Sequence, residues 1–357
     1  MLRLEARQTP ATHMLWLSPL IALAVTVVLG AGLFALLGKP PVQALGMFFY
    51  EPIKSLYGLS ELTVKATPLI LCAIGLSICY RANVWNIGAE GQLLAGAIAA
   101  GGVAIACPKD APSVYFIAVL GAGVLGGMVW GALTAWLRDA FNANEILVSL
   151  MLSYVAYNIL VYLVFGPWRD PNGYNFPQSK VFEDAAMLPK LIAGSRMHWG
   201  FVCALVAAGL AYVLVFKSYL GYQMQVGGLS GLAARYAGYS SRRSLWTSML
   251  CCGGLAGLAG ACEIAGPIGQ LNASVSPGYG YAAIIVAFVG RLHPLTLVLS
   301  ALLMSMFYIG GELAQSRLGM PNAITGVFQG MLLFSLLVCD TFIHQRWVWR
   351  RAAPRAA

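Results

Sequence analysis

Apolar residues arrive in long runs broken by short polar or turn-rich stretches. The windows 14–37, 59–79, 91–107, 113–137, 145–165, 199–216, 246–265, 280–290, 294–312 and 322–340 each predict a helix. Most approach the ~20 residues that carry a helix across a bilayer, and none shows the alternating pattern of an outer-membrane barrel strand. Window 280–290 is too short to span alone and reads as half of a broken helix or a re-entrant segment. The pattern predicts an all-α fold, a polytopic transmembrane helical bundle of about 8–10 spans over residues 14–340, between an N-terminal segment 1–13 and a tail 341–357.

Three interruptions stand out. Residues 166–198 carry Pro167, Pro171, Pro177 and Pro189 without a sustained apolar run, which predicts an extracytoplasmic loop or small cap. Residues 217–245 contain Gly227-Gly-Leu-Ser-Gly-Leu-Ala-Ala-Arg-Tyr-Ala-Gly238, in which Leu232, Ala233, Tyr236 and Ala237 share a face of a short helix. Such a helix is either a docking knob in a cytoplasmic loop or an interfacial helix on lipid headgroups. Residues 80–101 are polar and glycine-bearing between two apolar runs. Arg81, Asn83, Asn86, Glu90 and Gln92 need partners in hydrocarbon, while Gly88, Gly91 and Gly96 permit turns or close helix approach.

Composition sharpens this picture. Of 357 residues, 59% are hydrophobic and 10% charged, against about 45–50% and about 25% in soluble domains, so a soluble globule is excluded. The net charge of +9 sits as single lysines and arginines between apolar runs, which reads as membrane topology and not as a nucleic-acid face. Ten crossings from a cytoplasmic N-terminus put 13 cationic side chains inside and 8 outside, predicting both termini in the cytoplasm. The tail, with His-Gln-Arg-Trp-Val-Trp-Arg-Arg, reads as a basic anchor on membrane lipid. The cysteines lie within or at the ends of apolar windows and no CxxC occurs, so buried thiols are expected in place of a disulfide framework or a metal site. The first apolar run is too long for a signal-peptide core and reads as a retained span.

The candidate chemistry lies in polar groups within spans. Asn83, Asn86, Glu90, Gln92, Glu145 and Glu263 are candidates for a substrate pathway, with Lys65, Glu312, Asn144 and Asn158 beside them. For Asn86 and Glu90 the alternative is capping and tying helix ends. For Glu145, after Asn144, it is a first-turn carboxylate at a helix dipole. Glu263 follows glycines at four-residue spacing that read as close helix packing. Lys65 and Glu61, four apart, are expected to pair. Trp85, Tyr154, Tyr157, Phe288 and Tyr308 are aromatic groups able either to stack on a flat solute or to pack. His198 and His293 have no ligand-spaced partners, and no catalytic constellation is present.

Four ordered motifs carry a resemblance: Arg81-Ala-Asn-Val-Trp-Asn-Ile-Gly-Ala-Glu-Gly-Gln92, Gly231-Leu-Ala-Ala-Arg-Tyr-Ala-Gly238, Gly254-Leu-Ala-Gly-Leu-Ala-Gly260 and Gly278-Tyr-Gly-Tyr-Ala-Ala-Ile-Ile-Val-Ala-Phe-Val-Gly-Arg-Leu-His-Pro294. Over about residues 60–340 the chain resembles the permease subunits of ABC importers of the ribose, nucleoside and branched-chain amino acid group, and within it the longer permease of nucleoside-type uptake systems. Ser153 departs from the Asn expected in the nucleoside branch. The resemblance implies a multi-pass protein of the bacterial inner membrane that forms half of a pathway for a nucleoside or related small polar solute. Its implied partners are two ABC ATPase subunits or one fused double ATPase, a second and shorter related permease, and an extracytoplasmic substrate-binding protein. The chain has no GxxxxGK[ST] loop, so it is expected to bind no cofactor and to leave ATP hydrolysis to a partner. The implied coupling helix would present Gly231, Leu232, Ala234, Arg235, Tyr236 and Gly238 to that ATPase. An ion- or proton-coupled secondary carrier using Lys65, Glu90 and Glu263 is the alternative.

Overall fold

The computed structural model describes residues 2–6, 12–173, 176–192, 194–321 and 323–349. Helices dominate, in the order α1 (Thr12–Leu36), α2 (Pro41–Phe49), α3 (Leu56–Arg81), α4 (Ala89–Ile105), α5 (Phe116–Phe141), α6 (Glu145–Phe165), α7 (Gly200–Lys217), α8 (Tyr219–Leu229), α9 (Gly231–Tyr236), α10 (Ser241–Glu263), α11 (Tyr279–Val289), α12 (Pro294–Leu318) and α13 (Ile324–His344). Among the described residues, eight helices are long and apolar enough to cross a membrane, and α4 and α11 are shorter apolar helices. The expected all-helical membrane bundle is therefore present. Helix starts follow local chemistry: the Ser55, Asn144, Ser218, Ser230 and Ser240 side chains each accept a backbone N–H of the helix they precede.

The chain divides into two compact units, and the division falls within α12. The first comprises Met1–Pro52 and Phe307–Ala357. In it α1 packs on α13 around fully buried Phe34, Phe48, Phe307 and Phe328, with the Phe48 and Phe328 rings stacked at 4.7 Å. Strand β1 (Leu2–Ala6) pairs antiparallel with β2 (Gln345–Trp349). Helix α2 and this strand pair, neither of which the apolar windows predicted, are what this unit adds to the sequence reading.

The second unit, Ile53–Met306, contains every other helix. Helix α3 is its centre, buried over nearly its whole length among α10, α11 and α7. Helices α4, α5 and α10 form its densest contact. Here the glycine spacing matters: a Cβ at Gly96 would overlap the Gly257 backbone, and one at Gly253 would overlap the Gly127 carbonyl. The expected packing role of the glycines before Glu263 is thus observed, since small residues let backbones approach where hydrocarbon supplies no hydrophobic drive.

The unit has two ends. At one, the segment 166–198 is strapped to the turn after α10: Ser179 N–H donates to Leu271 O at 2.8 Å, Phe182 N–H to Gly269 O at 2.9 Å and Leu188 N–H to Ala265 O at 2.7 Å. At the other, Arg81 Nε donates to Leu292 O at 3.0 Å, its guanidinium lies 4.7 Å from the Phe216 ring, and α8 approaches so closely that a Cβ at Gly228 would overlap the Arg81 carbonyl. The segment 272–292, including α11, runs from the first end to the second. Helix α4 runs the other way, since a Cβ at Gly102 would lie 3.1 Å from Trp168 at the strapped end. Each short helix, together with the non-helical segment before it, therefore traverses the unit, and non-helical backbone beside α11 is tolerated because Leu271 and Val275 are buried in protein.

Candidate functional site

The turn between α3 and α4 is built on Asn83, whose φ of 55° reverses the chain. Its side chain accepts the Trp85 indole N–H at 3.1 Å. Trp85 in turn stacks with Phe288 and lies tilted against Tyr80, whose hydroxyl donates to Asn86 O at 3.1 Å. The chain then enters the bundle, where Asn86 is fully buried. Asn86 Oδ1 accepts Gly88 N–H at 2.8 Å, and its Nδ2 donates to Gln92 Oε1 and Cys252 Sγ, both at 3.2 Å.

The free N–H groups at the start of α4 are met from α6. Ile87 N–H donates to Ser149 Oγ at 3.1 Å and Gly91 N–H to Ser153 Oγ at 3.2 Å. These two serines, one turn apart, close the start of α4; the sequence reading named Ser153 only as a departure from a family pattern and did not name Ser149. Their four-residue spacing opposite a glycine-bearing helix start was the available signal.

Glu90 sits where two helices begin. It lies in the first turn of α4, and its Oε2 accepts Gly280 N–H at 2.7 Å in the first turn of α11, with the Ser276 hydroxyl as a further partner. A carboxylate between two helix N-termini satisfies their orphan donors and their positive dipole ends together. Only a residue without a Cβ fits opposite, since one at Gly280 would lie 2.5 Å from the Glu90 Cα. Asn86 and Glu90 thus tie helix ends together inside the bundle, the second of the two roles open to them.

The remaining candidates lie apart from this knot. Glu145 begins α6 and takes a 2.7 Å ion pair from Arg138. Glu263 ends α10, buried. Glu61 pairs with Arg196 at 3.2 Å, not with Lys65, whose ammonium lies 6.0 Å from the Tyr279 ring centroid, so the expected helical pair is replaced by one to the segment 166–198. Tyr154 and Tyr157 lie on an exposed face of α6, where Asn158 Nδ2 donates to Tyr154 O at 2.8 Å. Glu312 and Tyr308 belong to the other unit.

The expected short helix is α9, only 6 residues long. Ser230 caps it and Gly238, with φ of 77°, ends it. Ala234 is its buried foot, whereas Leu232 and Tyr236 are 82% and 96% exposed. Gly231, Leu232 and Arg235 border an open cleft with Tyr239, Ser240 and Ser241.

Residues 58–337 match the family described as branched-chain amino acid transport system / permease component. The chain belongs to this permease family. Relatives agree across most of its length. The permease is 34% identical over 355 residues, 97% of this chain and 93% of the relative, to the glucose ABC transporter permease protein TsgB13 of Haloferax volcanii. It is 29% identical to the guanosine ABC transporter permease protein NupP of Bacillus subtilis, covering 89% and 91% of the two chains. With the nucleoside ABC transporter permease protein NupB of Lactococcus lactis it shares 27% identity over 90% of each. The permease also shares its fold with an ABC transporter of the metal-chelate type in an inward-facing conformation, at TM-score 0.50 and 16% identity over 91% of this chain and 98% of that one. It is accordingly a multi-pass inner-membrane permease subunit of an ABC importer, which displaces the secondary-carrier alternative. ATPase subunits and a substrate-binding protein are the partners that this family implies in general.

Proposed function

We propose that the permease forms one half of the pathway for a nucleoside or a related small polar solute such as a sugar. The observation that carries this is near full-length similarity to permeases named for glucose, guanosine and nucleosides. The exposed face of α6, with Tyr154, Tyr157 and Asn158, offers rings for stacking and an amide for hydrogen bonding, a combination suited to a base or a sugar. Asn83, Asn86, Glu90, Gln92, Glu145 and Glu263 shape that wall by fixing the ends of the helices behind and beside it. Helix α9 is the coupling helix, with Leu232, Arg235 and Tyr236 seated in a cytoplasmic ATPase so that its closure rocks the spans between outward-open and inward-open states. The ATPase is a pair of subunits or a fused double chain, the second permease is a shorter relative, and an extracytoplasmic protein delivers the solute.

The test is uptake by proteoliposomes holding the assembled complex and its binding protein. ATP-dependent accumulation of labelled guanosine or glucose, competed by unlabelled nucleosides or sugars, is the expected result. Robust ATP-dependent uptake of another class of solute, with no competition by either, would overturn the substrate reading.

A further inference from the structure

A long apolar groove runs down the flank of the second unit. Helix α7 packs on α3 but stands away from α10, leaving a cavity of about 850 Å³ with Ile78, Val124, Met128 and Gly254 among its lining residues and Val206 and Leu210 along the α7 side. Val206 and Leu210 are 56% and 65% exposed. From Trp199 to Leu214 the α7 wall extends about 22 Å, most of the ~30 Å hydrocarbon thickness. In a membrane protein such a groove faces acyl chains, and an empty one would forfeit dispersion contacts along its whole length.

One end of the groove is polar, and there the charges are unequal. Arg242 and the Trp246 indole both donate to Asp139 Oδ2, at 2.7 and 3.0 Å. That carboxylate is therefore taken, and the indole is fixed at the mouth. Arg243, one residue from Arg242, lines the same mouth with Thr247, is exposed, and makes no ion pair among the described residues. A fixed tryptophan beside a free arginine, at the end of an apolar groove of bilayer length, is complementary to a phosphate headgroup above an acyl chain.

We propose that this groove binds one anionic phospholipid, its acyl chain along α7 and α10 and its headgroup phosphate on Arg243. The lipid acts as a filler that fixes α7 against α10.

Native mass spectrometry of the full-length chain in its assembled complex tests this, with phosphatidylglycerol and phosphatidylcholine added in competition. The natural chain is expected to retain one lipid per copy and to favour phosphatidylglycerol about fivefold, the effect of one interfacial arginine. Arg243→Gln should retain a lipid but lose that preference. Val206→Trp, whose indole takes the place of the acyl chain in the groove, should lower retention of both lipids while leaving the unfolding transition in place. Three results would overturn the proposal: no stoichiometric lipid on the natural chain, a preference that survives Arg243→Gln, or a Leu210→Cys variant that cross-links through that position to another chain of the complex. The Arg243 comparison stands even if the tryptophan variant misfolds.

Discussion

Glu90 is asked to satisfy Gly280 N–H inside the bundle, and the two ways of removing its charge separate its roles. Glu90→Gln keeps an acceptor oxygen, whereas Glu90→Ala leaves a buried N–H without a partner, which costs about 1–3 kcal/mol. We expect the alanine variant to melt earlier in detergent and the glutamine variant to stay near the parent; equal melting of the two would show that charge, not hydrogen bonding, holds α11. His198 carries the second residue-level expectation. It lies just outside α7, its Nδ1 accepts Gly200 N–H at 3.1 Å, and burial, aided by the nearby Arg196 cation, pulls its pKa from 6.5 down to about 4. The folded state thus resists a proton that the unfolded chain accepts, so the stability is present above about pH 6.5 and is lost as pH falls towards 4, in total on the order of 3 kcal/mol. Protease protection of the strapped 166–198 segment should fall across that window, and His198→Gln should flatten the profile. How far such residues were legible follows from their chemistry. Asn86 and Glu90 declare themselves because polar groups in an apolar run demand partners, but Ser149 and Ser153 do not, since a serine in a span satisfies itself on the preceding turn and only the fold brings Gly91 to it.

At the scale of elements, the same distinction between what touches protein and what does not predicts opposite outcomes for two helices. A side chain at Gly257 meets the Gly127 backbone, so Gly257→Leu should separate α10 from α5 at a cost of about 1–3 kcal/mol or more, read as lost thermal stability and lost transport together. Leu232 on α9 is 82% exposed, and Leu232→Ala should leave stability within about 0.5 kcal/mol while lowering ATP-driven uptake. A Leu232→Ala complex with undiminished uptake would remove α9 from the coupling role. Long apolar windows gave the spans to within a few residues because twenty apolar residues admit few other fates. The short helices α2 and α8 were not legible: α8 is split by Gly221, Gly227 and Gly228, and what holds it is the close approach to Arg81, a contact between segments far apart in sequence.

For the whole molecule, the count of crossings decides where α9 lies. Pairing of β1 with β2 puts both ends of the chain on one side of the bilayer, which requires an even number. Eight long helices satisfy this, and so do ten crossings with α4 and α11. The two schemes nevertheless differ in everything between those helices. If α4 and α11 crossed together with the eight, a cytoplasmic N-terminus leaves 166–198 outside and 217–245 inside, beside ATP. If neither crossed, those two segments would exchange sides, and α9 could not meet a cytoplasmic ATPase. Helix α11 covers only about 16 Å, short of the hydrocarbon thickness. It is completed by the buried segment from Leu271 to Gly278, which begins at the strapped end, while Leu292 finishes at the Arg81 end. Ten crossings are therefore the arrangement that the contacts favour. Reporter domains inserted after Gly194 and after Gly238 should register outside and inside respectively. The reverse pair of signals would leave the permease family standing and take α9, with Arg235 and Tyr236, out of reach of the motor.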